Sequence, residues 1–321
     1  MITRVFALAS RFSPVHASGV VHYPDLAALR RSVTARDWNA VSAYFQGLPA
    51  RSDHSVAVRC VADIPRSERF LQRVVDSERD SSLARTLLGA RFIVMGWDAR
   101  TDARAQYVSQ AQWQVFHDYL NRAERLLADA VAIDSTNAAG WSERIVVARG
   151  LGLDIDEARR RYQKAAEHCD VPYVAQTQLI QNLCPKWGGS LSAVHAFARE
   201  CLDGSKPGSL GGCVVANAHI EHALMYETDY GVREYLGKRK VRDQLVGAAA
   251  HTVLNPAFEP GHGSIAAYSA FAFALFQGGW HADAAPHFAA LGRRVHPYPW
   301  NQLDRSWKKG FLNARRAMRK Q

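Results

Sequence analysis

The sequence predicts an all-α protein, a solenoid of stacked antiparallel helix pairs, and three observations carry that prediction. Ala123, Leu127 and Ala130 recur as Ala158, Tyr162 and Ala165, then as Ala193, Phe197 and Glu200, at a spacing of 35 residues. A small–large–small set at i, i+4 and i+7 lies on one helix face. A period of about 34 residues is that of helix–turn–helix repeats, which bury their apolar faces only against neighbouring repeats. Helical apolar spacing, broken by turn residues, also runs through most of the chain. Finally, 48% apolar and 22% charged residues over 321 positions describe a chain that can bury a core without disulfide or metal staples.

Residues 1 to about 25 show no clear period and are expected to form an irregular cap with a short strand at 19–23. Leu26, Leu29 and Val33, then Trp38, Val41 and Phe45, predict two helices meeting near residues 35–37. Pro49 and Ser52-Asp53 mark a turn, and residues 54–64 read as a helix. Pro65 opens the next helix, in whose first turn it is tolerated. Ser81-Ser82 caps a helix carrying Ala84, Leu87, Leu88, Phe92 and Ile93. After a polar connection at 101–108, Ser109 caps a long helix with Trp113, Phe116, Leu120, Ala123, Leu127 and Ala130 on its apolar face.

Trp141, Ile145 and Ala148 open the next pair, which breaks at Gly150 and Gly152 and resumes from Asp154. Val171-Pro172 turns the chain into a helix over 173–183. A sharp break follows at 185–189, and Ser190 caps the helix of Ala193, Phe197 and Cys201. Residues 203–212 form the strongest loop. Helices are expected over 214–226 and 241–253, with 229–240 a connection. Trp280, Ala284, Phe288 and Leu291 restate the repeat spacing, and prolines at 297 and 299 end it. The chain thus divides into a cap (1–80), repeats (81–300) and a tail (301–321).

Residues 129–172 and 278–291 resemble tetratricopeptide repeats, although the Trp, Leu-Gly and Tyr positions of the first repeat helix are only partly kept. The segment Leu183-Cys184-Pro185-Lys186-Trp187-Gly188-Gly189-Ser190 is similar to the Pro-Lys/Arg-Trp-Gly-Gly-Ser segment of an uncharacterised bacterial family of helical-repeat proteins. The Ala- and Arg-rich composition resembles that of its actinobacterial members. The resemblance covers roughly residues 80–300. It implies a right-handed, tetratricopeptide-like α-solenoid and no particular activity.

The net charge of +10 is concentrated at the end of the chain. Seven basic residues and no acidic one lie between Arg305 and Gln321, which leaves +3 for the rest. This basic block suits an acidic partner or docks as a last helix through Trp307, Phe311, Leu312 and Met318. The small excess elsewhere disfavours nucleic acid and membrane as partners. No apolar run approaches the ~20 residues of a membrane span. The five cysteines form no Cys-x-x-Cys pair, and a cytoplasmic location with reduced thiols is expected.

Two constellations are candidates for a site. His219 and His222 are i, i+3 on a helix, half of a divalent zinc or iron site. Cys184, Cys213, His195, His251 or Glu143 would have to complete it. The second is Lys186-Trp187-Gly188-Gly189, a glycine pair leading into a helix N-terminus, which suits an anion beside the lysine. Arg144, with Arg149 and Arg159-Arg160-Arg161, is a further basic strip, and Gly261-His262-Gly263-Ser264 places a histidine before a helix. The leading expectation is an interaction scaffold, without a cofactor, that binds a peptide or partner protein in its concave groove through Lys186, Trp187, Gly188, Gly189 and Arg144. The alternative is a metal-dependent enzyme centred on His219, His222 and the Trp187 turn.

Overall fold

The computed structural model describes residues 22–101, 105–226, 228–303 and 306–318. Residues 19–21 of the expected strand lie outside this set, as do Arg305, Arg319 and Lys320 of the tail. Among the described residues the fold is all-α, with sixteen α-helices and no strand. No helix among them is long and apolar enough to cross a membrane.

The helices are α1 (Pro24–Ala35), α2 (Trp38–Gln46), α3 (Ser55–Ala62), α4 (Glu68–Ser77), α5 (Ser82–Arg100), α6 (Gln110–Ile133), α7 (Ala138–Leu151) and α8 (Ile155–Glu167). They continue as α9 (Tyr173–Leu183), α10 (Leu191–Asp203), α11 (Val214–Ala223), α12 (Asp229–Leu236), α13 (Arg239–His251), α14 (Ser264–Gln277), α15 (His281–Leu291) and α16 (Trp307–Met318). Side-chain caps start many of them. Ser81 accepts from the Ala84 N–H at 3.2 Å and Ser190 from the Ala193 N–H at 3.1 Å. Ser109 and Gln112 form a reciprocal capping box.

Three expectations are corrected. Residues 229–240 are mostly helix, because Thr228 caps α12 and Val232, Tyr235 and Leu236 enter the core. Pro65 lies in a turn and α4 begins only at Glu68. Gly150 does not break α7. A β-carbon there would run into Phe116 and Leu120, so the glycine lets α6 and α7 close on each other.

Successive contacts arrange the helices in two rows. α3, α5, α7, α9, α11 and α14 each touch the next, and α1 touches α3. α6, α8 and α10 each pack between two members of that row. The 35-residue echo falls on these three helices, where Ala123, Leu127, Ala130, Ala158, Ala165 and Phe197 are buried. Core packing runs unbroken from Leu26 to Val147, so the helices on either side of residue 80 share one core. At the other end α16 docks on α15, with Phe311 stacked on Phe288 and edge-on to Trp300.

The two ends of the inner row meet. The Ile265 N–H donates to the Tyr23 hydroxyl at 3.2 Å, and His262 Nε2 lies 2.9 Å from Asp25 Oδ2, across 237 residues of sequence. A second tie joins the turn before α3 to the start of α9, where the Val174 N–H donates to Asp53 Oδ2 at 2.9 Å.

Candidate functional site: a charged cavity inside the inner row

The inner helices and the segment from His296 to Tyr298 line a partly open cavity of about 780 Å³. That size suits a small polar ligand or a short stretch of chain. Its walls are unusual for an interior, because cations and carboxyls face one another across it: Arg30, Arg59, Arg149 and Lys186 against Asp63, Glu143 and Glu221. Buried charge is costly unless paired and hydrogen-bonded, so each group's partners decide what it is for.

Glu221 is fully engaged. Its carboxylate takes a hydrogen bond from the Tyr298 hydroxyl at 2.7 Å and another from the Gln181 amide, and pairs with Lys186 Nζ at 2.8 Å. Burial and this carboxylate hold the Tyr298 phenol well above its ordinary range, so it remains a donor. The Cys184 thiol, also beside Glu221, is pushed up to about 12, chiefly by burial. Arg149 donates to Gln178 Oε1 at 3.1 Å and lies beside the rings of both Trp97 and Trp187, at 5.6 and 5.9 Å. Burial, then the neighbouring charge of Arg59, lowers its basicity to about 10, which leaves it charged at neutral pH.

The Arg59 and Glu143 pair is different. Arg59 Nε lies 3.0 Å from Glu143 Oε1, but the carboxyl sits off the N–H direction. Arg59 Nε and Nη2 and Glu143 Oε1 therefore have no well-aligned hydrogen bond, and Asn217 Oδ1 has no donor. Glu143 is only 2% exposed, and burial holds its carboxyl above the usual range despite the Arg59 charge. Several unpartnered polar atoms around one cavity are atypical of a native interior, where such groups are nearly always satisfied.

The sequence candidates fall in different places. Lys186 reaches the cavity. The turn behind it offers no amide cradle, because the N–H groups of Trp187, Gly188 and Gly189 donate to the carbonyls of Cys184, Pro185 and Cys184. Trp187 packs edge-on to Trp97 at 6.0 Å as a support for Arg149. Arg144 does not line the cavity: it pairs with Glu124 at 2.7 Å, shares that carboxylate with Arg161, and stacks on Trp141. His219 and His222 do share a helix face, but it turns away from the cavity while Glu221 between them turns toward it.

The two histidines meet His195 and Tyr235. His222 Nδ1 and His195 Nε2 are 2.9 Å apart, within hydrogen-bond distance, and His219 Nδ1 is 2.9 Å from the Tyr235 hydroxyl. Burial lowers His219 to about 3 and His195 to about 4, so both are neutral. Cys184, His251 and Glu143 lie elsewhere, with Cys184 on the Ile180 carbonyl and His251 on the Ser205 carbonyl. Among the described residues no three His, Cys, Asp or Glu side chains are grouped to hold a metal ion. Of the side chains proposed to complete a site with His219 and His222, His195 is the one the structure brings to both. Sequence reasoning missed Arg59, Asn217 and Tyr298, which carry no local motif.

His262, singled out before α14, closes the ring on Asp25 at the cavity's edge. Burial alone raises the Asp25 pKa, but the Tyr44 hydroxyl at 2.6 Å and the charge of His262 outweigh it, and the net shift is downward. A depressed carboxyl stabilises the fold above its unfolded pKa, and that contribution is lost as pH falls through the folded value. Asp25→Asn is therefore expected to lower the unfolding midpoint at neutral pH, with the gap to wild type closing on acidification. A gap that stays constant with pH would show that the Asp25 charge does not hold the ends together.

The chain matches no protein-family model, no curated protein and no solved structure.

Proposed function

We propose that this protein is a binding module, a tetratricopeptide-like right-handed solenoid whose inner helices take a short peptide segment of a partner protein into their cavity. One observation carries the reading: Arg59, Glu143 and Asn217, each with polar atoms that lack a partner, line the same partly open cavity. Polar groups left unsatisfied inside a protein are costly, and a ligand that supplies the missing partners recovers that cost on binding. The 35-residue echo and the resemblance to helical-repeat proteins support the same reading by analogy of fold. Closure of the ends by Asp25 and His262 favours a short segment over a peptide that runs through an open groove. Lys186 contributes at the cavity wall, while Trp187, Gly188, Gly189 and Arg144 shape the scaffold around it. The exposed Lys308, Lys309 and Arg316 of α16 support a separate acidic contact.

The test is a display selection of short random peptides on the full chain, followed by affinity measurement on variants. Enriched peptides are expected to lose about tenfold in affinity on Asn217→Leu or Glu143→Gln. No enrichment, or peptides bound equally well by both variants, would place binding outside the cavity and overturn the reading.

One observation favours an enzyme as a second reading. Glu143 is a carboxyl held above its usual range inside a cavity, as general acids are. The same cavity lacks a poised thiol nucleophile, since burial pushes the Cys60 thiol up to about 11.

A further inference from the structure

The charges of the cavity are unequally matched. Lys186 has Glu221, and Arg149 has Gln178 and two indole rings. Arg59 has Glu143, out of line, and the charge of Asp63 nearby, and its nitrogens without a hydrogen bond are Nε and Nη2. These two lie on the same edge of the guanidinium. That edge presents two parallel N–H groups, the fork that meets both oxygens of a carboxylate. The positive potential of Arg59 is felt around it: part of the lowered basicity of Arg149 and His296 comes from its charge.

The remaining wall offers acceptors. Asn217, 7% exposed, has an oxygen with no donor. Its amide also hydrogen-bonds to the Tyr298 hydroxyl, which holds the side chain in place. Three carboxyls stand against four cations, so a multiply charged anion meets repulsion from Asp63, Glu143 and Glu221. A single negative charge that brings its own N–H donor matches the set.

We infer that the cavity recognises an α-carboxylate with a neighbouring N–H donor, the chemistry shared by a peptide C-terminus and a free amino acid. The carboxylate docks on the Nε and Nη2 edge of Arg59, and the N–H satisfies Asn217 Oδ1. This rests on the binding reading above and narrows it to a chain end. The cavity volume of about 780 Å³ accommodates the last residues of a peptide as well as a single amino acid.

The experiment titrates the full chain with three probes: short peptides bearing a free C-terminal carboxylate, the same peptides as C-terminal amides, and free amino acids. The free acids are expected to bind at least about tenfold more tightly than the amides. Arg59→Gln should abolish that preference, and Arg59→Lys should keep part of it, since a lysine retains the charge but not the fork. The double variant Arg59→Gln with Glu143→Gln removes both members of the pair and serves if the single variant unfolds. Tighter binding of free amino acids than of peptides would assign the small-molecule source, and the reverse a partner's C-terminus. Acids and amides binding alike, a preference that survives Arg59→Gln, or no binding of any probe would overturn the inference. If amides still bind and Asn217→Leu weakens them, the cavity remains a binding site and only the carboxylate assignment falls.

Discussion

Gly189→Ala is expected to lower stability by about 3 kcal/mol, the largest effect of any single methyl added near the site. The chain folds back so closely after α9 that a β-carbon at residue 189 falls on the Leu183 carbonyl. Backbone is in the way, so no side-chain rotation relieves the clash. Gly188 next to it is a contrasting case. Its φ of +89° favours glycine, but nothing lies within 4 Å of a β-carbon there. Gly188→Ala is therefore expected to cost about 1 kcal/mol, from backbone strain alone. Urea midpoints at unchanged slope measure both. Equal losses for the two would show that the turn does not press on Leu183. The stake is functional as well as structural, because this turn brings Lys186 to the cavity and sets Trp187 against Arg149.

Lys186→Met is expected to cost about 2 kcal/mol at neutral pH, and Lys186→Met with Glu221→Gln substantially less. Glu221 is nearly shut from water, its side chain 3% exposed, and Lys186 is its counter-charge at 2.8 Å. Removing the lysine leaves a buried carboxylate with only the neutral donors Tyr298 and Gln181. The loss stays below the roughly 3–5 kcal/mol of a fully buried pair, because Lys186 is itself 47% exposed and water partly replaces it. Neutralising Glu221 in the double variant removes the stranded charge and keeps its hydrogen bonds. A urea double-mutant cycle reads the coupling directly. Strictly additive losses would mean that the two charges do not depend on each other.

Features governed by neighbours in sequence were legible from the residues. Ser81, Ser109 and Ser190 cap helices as their local patterns indicate, since a cap depends on three or four successive residues. The pairing of His219 with His222 on one face follows from helical geometry, and so does the opposite direction of Glu221. Lys186 stands out in the sequence as a cation beside a glycine turn, but its partner lies 35 residues away on another helix. The connection expected at 229–240 failed for a related reason. Its helix is held by burial of Val232, Tyr235 and Leu236, which its own polar sequence does not announce. Arg59, Glu143, Asn217 and Tyr298 are scattered over four separate segments and share no spacing.

The sequence by itself determined the all-α class, most helix starts, the 35-residue echo and the basic end of the chain. These rest on the 3.6-residue period, on caps and on glycine and proline, all of which act within a few residues. Only the tertiary structure decided that α1 reaches α14 through Asp25 and His262, and that seven inner helices line one charged cavity. The reason is cumulative. Each helix-to-helix step adds a small rotation set by how side chains pack at that interface, and closure depends on the sum over all of them.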